Sequence, residues 1–568
     1  MDNMPWLSLL IVVPLVGAGV VAALPSRNAA LAKPVALGVS LLTLLLGVVA
    51  TATSFTRGSS EQFQMVEQHE WIPQLGVSYA LGVDGIAIAL ILMALVLTPV
   101  CLLAAWHDIP EGGSREKGYF ALLLLLLPFM VGVFAATDVF LFYVFFEAML
   151  IPVYFLIGMF GGDNRRGAAL KFLLFSLAGG LIMLVGVIAL YVQGPGGADG
   201  FLVENLTGLQ MSTTTGRWLF IAFFIAFAVK APMWPVHTWL PDAAAASKPA
   251  VATLLVGVLD KVGTFGMIRF CLQLFPEASQ WASPVVIVLA VFSVLYGAIL
   301  AIGQEDMMRL IAFTSISHFG FIVLGIFAFT SASHAGSNLY MVNHGFATAA
   351  LFLLAGMLIV RRGSQRIDDY GGWQRVTPVL AGLFLLAGLA SLSLPGLSPF
   401  VSEFLVIAGT WGRHPVATAF AVWAVVLAAL YILLMYKRIF TGPPPVIGES
   451  DEGDVLRSDE VGPTHRVGAS KGVESPAPAD VQYVRADVDA ARPARRLPAA
   501  VADLGLREKV VMAPIVASLV LLGFFPAPVL DTLNPAVERT LEIVGVSDVA
   551  PTAPSGPADA SSTSGSDH

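Results

Sequence analysis

Charge is scarce in this chain. Asp, Glu, Lys and Arg make up only 12% of its 568 residues, where an ordinary soluble domain carries about 25%. Cysteine is nearly absent. Cys101 and Cys271 lie far apart in apolar runs and form no C-x-x-C pair, which argues against an iron–sulfur cluster or a cysteine-held zinc. They read as small core residues, and the histidines lack close ligand spacing, so no metal site is expected. No P-loop and no G-x-G-x-x-G is present. The chain by itself therefore neither hydrolyses nucleotide nor carries electrons. The N-terminus lacks the basic segment of a cleaved signal, and its apolar stretch opens a first span. The net charge of −8, with basic residues spread over loops, does not point to nucleic acid.

What is present is long apolar sequence: 57% hydrophobic residues and a mean hydropathy of +0.80. A helix needs about 20 mostly apolar residues to cross a bilayer. Candidates run over 6–24, 34–53, 82–106, 119–136, 138–160, 168–192, 217–240, 250–275, 284–303, 309–330, 336–360, 377–411, 416–440 and 509–531. The expected fold is an all-α polytopic membrane protein of about 14 transmembrane helices. Basic residues fall mainly in loops after odd-numbered spans, among them Arg27, Lys33, Arg165, Arg166, Arg361, Arg362, Arg366 and Arg375. Arg57, Arg217, Arg413 and Arg539 lie on the other side. The positive-inside rule then puts odd loops in the cytoplasm of a cell membrane and both termini outside. Residues 441–508, rich in Pro, Asp, Glu and Arg, read as a disordered cytoplasmic loop. The expected organisation is a three-helix segment (1–118), two repeats (119–275 and 276–440), that loop, a final span (509–531) and a flexible tail (532–568).

Ionisable residues stand in the middle of the oily runs: Glu147, Lys230, Lys261 and Glu403. An ammonium at bilayer depth costs about 2.5–3.5 kcal/mol even on insertion scales, so these groups should face protein or water. Four such groups suggest a path for charge, and the smallest charge that fits is a proton. Span seven carries Lys230 followed by Pro232, Pro235 and Pro241. Each proline disrupts a helical bond, so Pro232 is expected to free the Ala228 carbonyl and Pro235 that of Ala231, giving a hydrated pocket beside Lys230. Span twelve repeats the pattern with Pro395, Pro399 and Glu403. Two interrupted helices in corresponding positions point to inverted five-helix repeats, spans 4–8 and 9–13, with broken helices 7 and 12.

Lys230 is the natural cationic partner of Glu147. Pairing holds both charged and separation favours the neutral forms, which makes the pair a switch; a static salt bridge between two helices is the alternative. Lys261 has only Asp260 beside it, and adjacent helical residues do not face each other, so it is a candidate proton acceptor. His318 and His344 fit relay steps between Lys261 and Glu403. His237, in the break of span seven, extends a water path. Asp84 reads as a helix cap near the surface, and Arg309 as either an anchor or a proton-uptake group. Moving one charge against 100 mV costs about 2.3 kcal/mol, so a partner or another ion's gradient must supply the energy.

DVFLFYVFFEAMLIPVYFLIG, FAVKAPMWPVHTWLPDA, QEDMMRLIAFTSISHFGFIVLGI, NHGFATAALFLLAGML and GLASLSLPGLSPFVSEF, in this order, resemble the antiporter-like subunits of proton-pumping NADH:quinone oxidoreductase, respiratory complex I. The resemblance covers roughly residues 80–440. It is nearest to the subunit M (chain 4) type, because Glu403 stands where L-type and N-type relatives and Mrp antiporters carry lysine. It implies that Glu147 and Lys230 are the paired switch, Lys261 the central relay, His318 and His344 the connecting histidines, and Glu403 the group passing the proton outward or onward. It further implies L-type and N-type chains, the lipid bilayer and internal water as partners. No cofactor is implied in this chain, with NADH, FMN, iron–sulfur clusters and quinone in partner subunits. An Mrp-type cation/proton antiporter subunit, a membrane subunit of a related hydrogenase complex and a structural scaffold are the other readings. The departures from the family pattern are Met308 in place of a lysine, Ala244 in place of a histidine, Asp260 beside Lys261, and the 441–508 insertion.

Overall fold

The computed structural model describes residues 4–443 and 501–548, apart from residues 60, 112 and 198. Residues 444–500 of the expected disordered loop, and 549–568 of the tail, lie outside the described residues. The chain runs through α1 (Trp6–Ala23), α2 (Ala32–Ser54), a hairpin of β1 (Gln64–Ile72) and β2 (Val77–Val83), α3 (Gly85–Ala104), α4 (Ser114–Ala135), α5 (Val139–Ala148), α6 (Leu150–Phe160) and α7 (Arg165–Gln193). There follow the single turn α8 (Val203–Leu206), α9 (Thr213–Lys230), α10 (Trp239–Ala246), α11 (Pro249–Leu254), α12 (Lys261–Gly266), α13 (Pro276–Ile302), α14 (Met307–Phe327) and α15 (Ser331–Arg362). The last elements are α16 (Pro378–Ser391), α17 (Ser398–Trp411), α18 (Pro415–Phe440), α19 (Leu506–Phe524) and α20 (Ala527–Val544).

Helix starts follow the sequence chemistry. Side chains of Asp84, Asp138, Asp306 and Thr330 accept the orphan N–H groups that open α3, α5, α14 and α15. Proline stands in the first turn of α11, α13, α16, α17 and α18, where its missing N–H costs nothing. Among the described residues, twelve helices are long and apolar enough to cross a membrane, and the pair α19–α20, bent by 72°, makes a thirteenth if counted as one span. The protein is a multi-pass membrane protein. The span expected over 377–411 is two 14-residue helices, α16 and α17, each too short to cross alone.

The central helices carry Lys261, His318 and His344. The most apolar windows of Pro249–Leu272 and Met307–Phe327 are 100% buried within the protein and that of Ser331–Arg362 is 94% buried, against 28% for Ser26–Ser54 and 33% for Pro415–Phe440. The first set forms the core and the second faces outward.

Four expectations are corrected. The fold is not purely helical: β1 and β2 pair antiparallel through a turn at Gly76, whose φ of 67° suits glycine. Residues 532–544 are not a flexible tail but most of α20, which buries Leu533, Val537, Leu541 and Val544. The Ala228 carbonyl is not left free, because the Met233 N–H reaches it at 3.0 Å, one residue beyond the normal helical partner. The adjacent Val229 carbonyl accepts from the Trp239 indole at 2.9 Å. Asp84 caps α3 but is buried, paired with Arg269 at 2.7 Å.

Candidate functional site

Glu147, near the end of α5, packs its carboxylate against Gly180 of α7; a Cβ at Gly180 would overlap it. Its Oε1 is buried without a hydrogen-bond partner among the described residues. Lys230, the last residue of α9, is buried with its ammonium over the rings of Phe146 (5.1 Å) and Phe172 (5.5 Å). The two lie in one neighbourhood, since Phe146 precedes Glu147, yet no ion pair within 4.0 Å joins them. The static bridge, the alternative to a switch, is therefore absent from this conformation. Ring faces attract the cation instead.

Lys261 opens α12 between two π-helical stretches, Leu255–Leu259 and Met267–Leu272. Its ammonium donates to the Val256 carbonyl at 2.6 Å and lies 2.7 Å from His344 Nδ1 on α15, over the ring of Phe319. Asp260 points elsewhere, with Oδ2 buried and without a hydrogen-bond partner among the described residues, as adjacent helical positions require. The other nitrogen of His344 meets Thr348 Oγ1 at 3.1 Å. His344 and His318 of α14 have ring centroids 5.2 Å apart, nearly perpendicular, and His318 lies 5.8 Å from the ring of Tyr340. The Tyr340 hydroxyl donates to Glu403 Oε2 at 3.2 Å, and the Ser393 hydroxyl donates to the same oxygen. Lys261, His344, His318, Tyr340 and Glu403 thus form one buried series across α12, α15, α14 and α17. Every member can carry or pass a proton.

Sequence reasoning missed Tyr340, Thr348 and Ser393. Tyr340 and Thr348 flank His344 at four residues on either side, and that helical spacing is the signal that finds them. His237 is buried in the break between α9 and α10, with its ring 5.0 Å from that of Tyr296 and Nδ1 without a partner among the described residues. It is not brought into the Lys261–Glu403 series.

At the end of the protein where α15 finishes, Asp242 of α10 holds both Lys171 of α7 and Arg309 of α14, each at 2.7 Å. Burial alone would raise the Asp242 carboxyl, but the hydrogen bonds and charges of Lys171 and Arg309 outweigh it and hold it below the usual carboxylate range. Arg309 is thus tied to a carboxylate, and Met308 beside it is fully buried, where a lysine would be costly. Asp242 and Arg309 line a cleft of about 520 Å³ together with Asp163, Asp306 and Arg366. Among the described residues no group of three His, Cys, Asp or Glu side chains is placed to hold a metal ion.

A helical membrane core with broken helices and buried acids and bases in series defines an antiporter-like membrane protein. A family description, NADH:quinone oxidoreductase/Mrp antiporter, transmembrane, matches residues 136–428. The chain belongs to that family. It is 46% identical, over 97% of its own length and 96% of the relative's, to NADH-quinone oxidoreductase subunit M of Mycobacterium tuberculosis. Among solved structures it resembles a chain of respiratory complex I from Thermus thermophilus with bound NADH, at 29% identity and a TM-score of 0.78, covering 95% of this chain and 100% of that one. A chain of the Mrp complex from a Dietzia species is similar at 25% identity and a TM-score of 0.77, covering 96% of this chain and 100% of that one.

Proposed function

We propose that this chain is the M-type, proton-translocating membrane-arm subunit of NADH:quinone oxidoreductase. Electron transfer from NADH to quinone takes place in partner subunits, and this chain moves protons. The 2.7 Å approach of Lys261 to His344 carries the reading. Two bases at that distance share one proton, and His318, Tyr340 and Glu403 continue from it. Glu147 and Lys230 lie upstream as a pair whose separation is set by conformation. When they close, both charges are held; when they part, as here, the proton on Lys230 is available to move on. His237 lies at the margin of this path. The energy arrives from quinone reduction through neighbouring L-type and N-type chains.

Basic loops place the ends of α3, α15 and α18 and the start of α19 in the cytoplasm, with both termini outside. The two units, 119–275 and 276–440, are read as inverted repeats, each broken beside one ionisable residue, Lys230 or Glu403. Fold likeness alone does not separate this reading from an Mrp-type antiporter, since the two TM-scores differ by little. The relative named as subunit M, nearly half identical along almost the whole chain, favours the oxidoreductase. Glu147→Gln in the assembled complex tests the reading. NADH-driven proton translocation should fall at least tenfold with assembly intact; unchanged translocation would favour a scaffold.

A further inference from the structure

α15 carries two polar stripes. Taking 100° per residue, Gly336, Tyr340 and Asn343 lie on one side of His344 and face α17. A Cβ at Gly336 would meet the Ser402 carbonyl, Tyr340 bonds Glu403, and Asn343 bonds Ser398 and Ser402. On the other side of His344 lie His334, Asn338, Met341 and Gly345, where Met341 accepts from Thr264 and Gly345 abuts Met93 and Gly257. His344 stands at the junction of the two stripes.

The second stripe ends in polar groups without partners. His334 is fully buried, one turn from the start of α15, and among the described residues neither of its ring nitrogens has a hydrogen-bond partner. Asn338 folds back onto the His334 carbonyl at 2.8 Å and leaves its own Oδ1 unmet. Gln273, just past the second π-helical stretch, donates to Thr540 of α20 at 3.0 Å and leaves Oε1 unmet. α20 packs on both α15 and that stretch, and its Thr540 holds Gln273. Buried polar groups of this kind are met by protein or by ordered water. Four unmet atoms on three side chains, two of these on the α15 stripe that begins at His344 and the third held by α20 where it packs on α15, describe a wet compartment.

We propose that His334, Asn338 and Gln273 hold water in a second branch of the proton path, with His334 as its relay, running from the Lys261–His344 pair toward the end of the protein covered by α20. His334 stands ten residues before His344, about 15 Å along the helix axis. The path therefore forks. One arm reaches Glu403, and the other gives this subunit its own outlet. The inference rests on the proton-translocating function proposed above.

The test uses the assembled oxidoreductase in inverted membrane vesicles, with NADH-driven proton translocation as the readout. His334→Gln keeps hydrogen bonding but does not titrate, and it should cut translocation several-fold with normal assembly. Asn338→Leu, which dries the compartment, should do the same. Translocation at the wild-type level in both variants overturns the branch. If His334→Gln fails to assemble, Asn338→Leu decides alone. Glu147→Gln runs in parallel: if it impairs translocation while His334→Gln and Asn338→Leu do not, only the branch fails, and if none of the three has an effect, the underlying function fails with it.

Discussion

Lys261 Nζ and His344 Nδ1 face each other at 2.7 Å, and the two side chains are 0% and 1% exposed. Among the described residues neither has another charged group in hydrogen-bond contact. An ammonium so placed donates to the imidazole, and a neutral amine accepts from it, so the proton can sit on either side without rearranging the helices. Tyr340 and Glu403 extend this pair toward α17.

Tyr340 is the step that sequence reasoning missed, and Tyr340→Phe isolates it. The ring and its packing against His318 remain, and only the hydroxyl that reaches Glu403 is lost. A hydrogen bond to an ionisable group contributes about 1.5–3 kcal/mol. Coupled proton translocation should fall about tenfold with normal assembly, measured in vesicles against the wild type.

Gly180→Ala tests the seating of Glu147. The added methyl overlaps the carboxylate, which is the free end of a flexible side chain, so the acid moves while the helix stays. The expected outcome is reduced NADH-driven translocation with unchanged thermal stability. Gly382→Ala is the control: nothing lies within 4 Å of its Cβ, and it should behave as wild type.

Asp242 gives a pH signature. Its carboxyl is held below the usual range by Lys171 and Arg309, so its contribution is complete above the unfolded value, about 3.9. That contribution is lost as pH falls through the lower folded value. Asp242→Asn should therefore lower the unfolding temperature at pH 7, and the gap to wild type should close as pH drops below about 4. A gap that widens on acidification would contradict the assignment.

The buried Asp84–Arg269 pair ties α3 to the second π-helical stretch. Removing one partner leaves an uncompensated charge and costs about 3–5 kcal/mol. Asp84→Ala should strongly reduce the amount of assembled complex on native gels. Asp84→Asn combined with Arg269→Met should recover part of it, because the capping oxygen stays and the stranded cation is gone.

The sequence made the spans and the stranded charges legible because each depends on local chemistry: twenty apolar residues, or one charge among them. Glu147, Lys230, Lys261 and Glu403 were found that way. The hairpin was missed because its strands are only nine and seven residues long, show no clean alternation of apolar and polar residues, and never build a long apolar run. α20 was missed for a similar reason. Its apolar stripe of Leu533, Val537, Leu541 and Val544 has helical spacing, yet its mean apolarity is too low for a membrane criterion. Asp84 and Arg269 stand 185 residues apart in the chain, and only the fold brings them together. The π-helical stretches around Lys261, which turn its ammonium toward His344, leave no mark in composition or periodicity.

Proton translocation per NADH oxidised, measured in inverted vesicles carrying the complex with Lys261→Met, tests the account most directly. The substitution keeps an unbranched side chain one atom shorter and removes the group that carries the proton. If Lys261 relays the proton, most translocation through this subunit is lost with assembly intact; a wild-type ratio of protons to electrons would contradict that role.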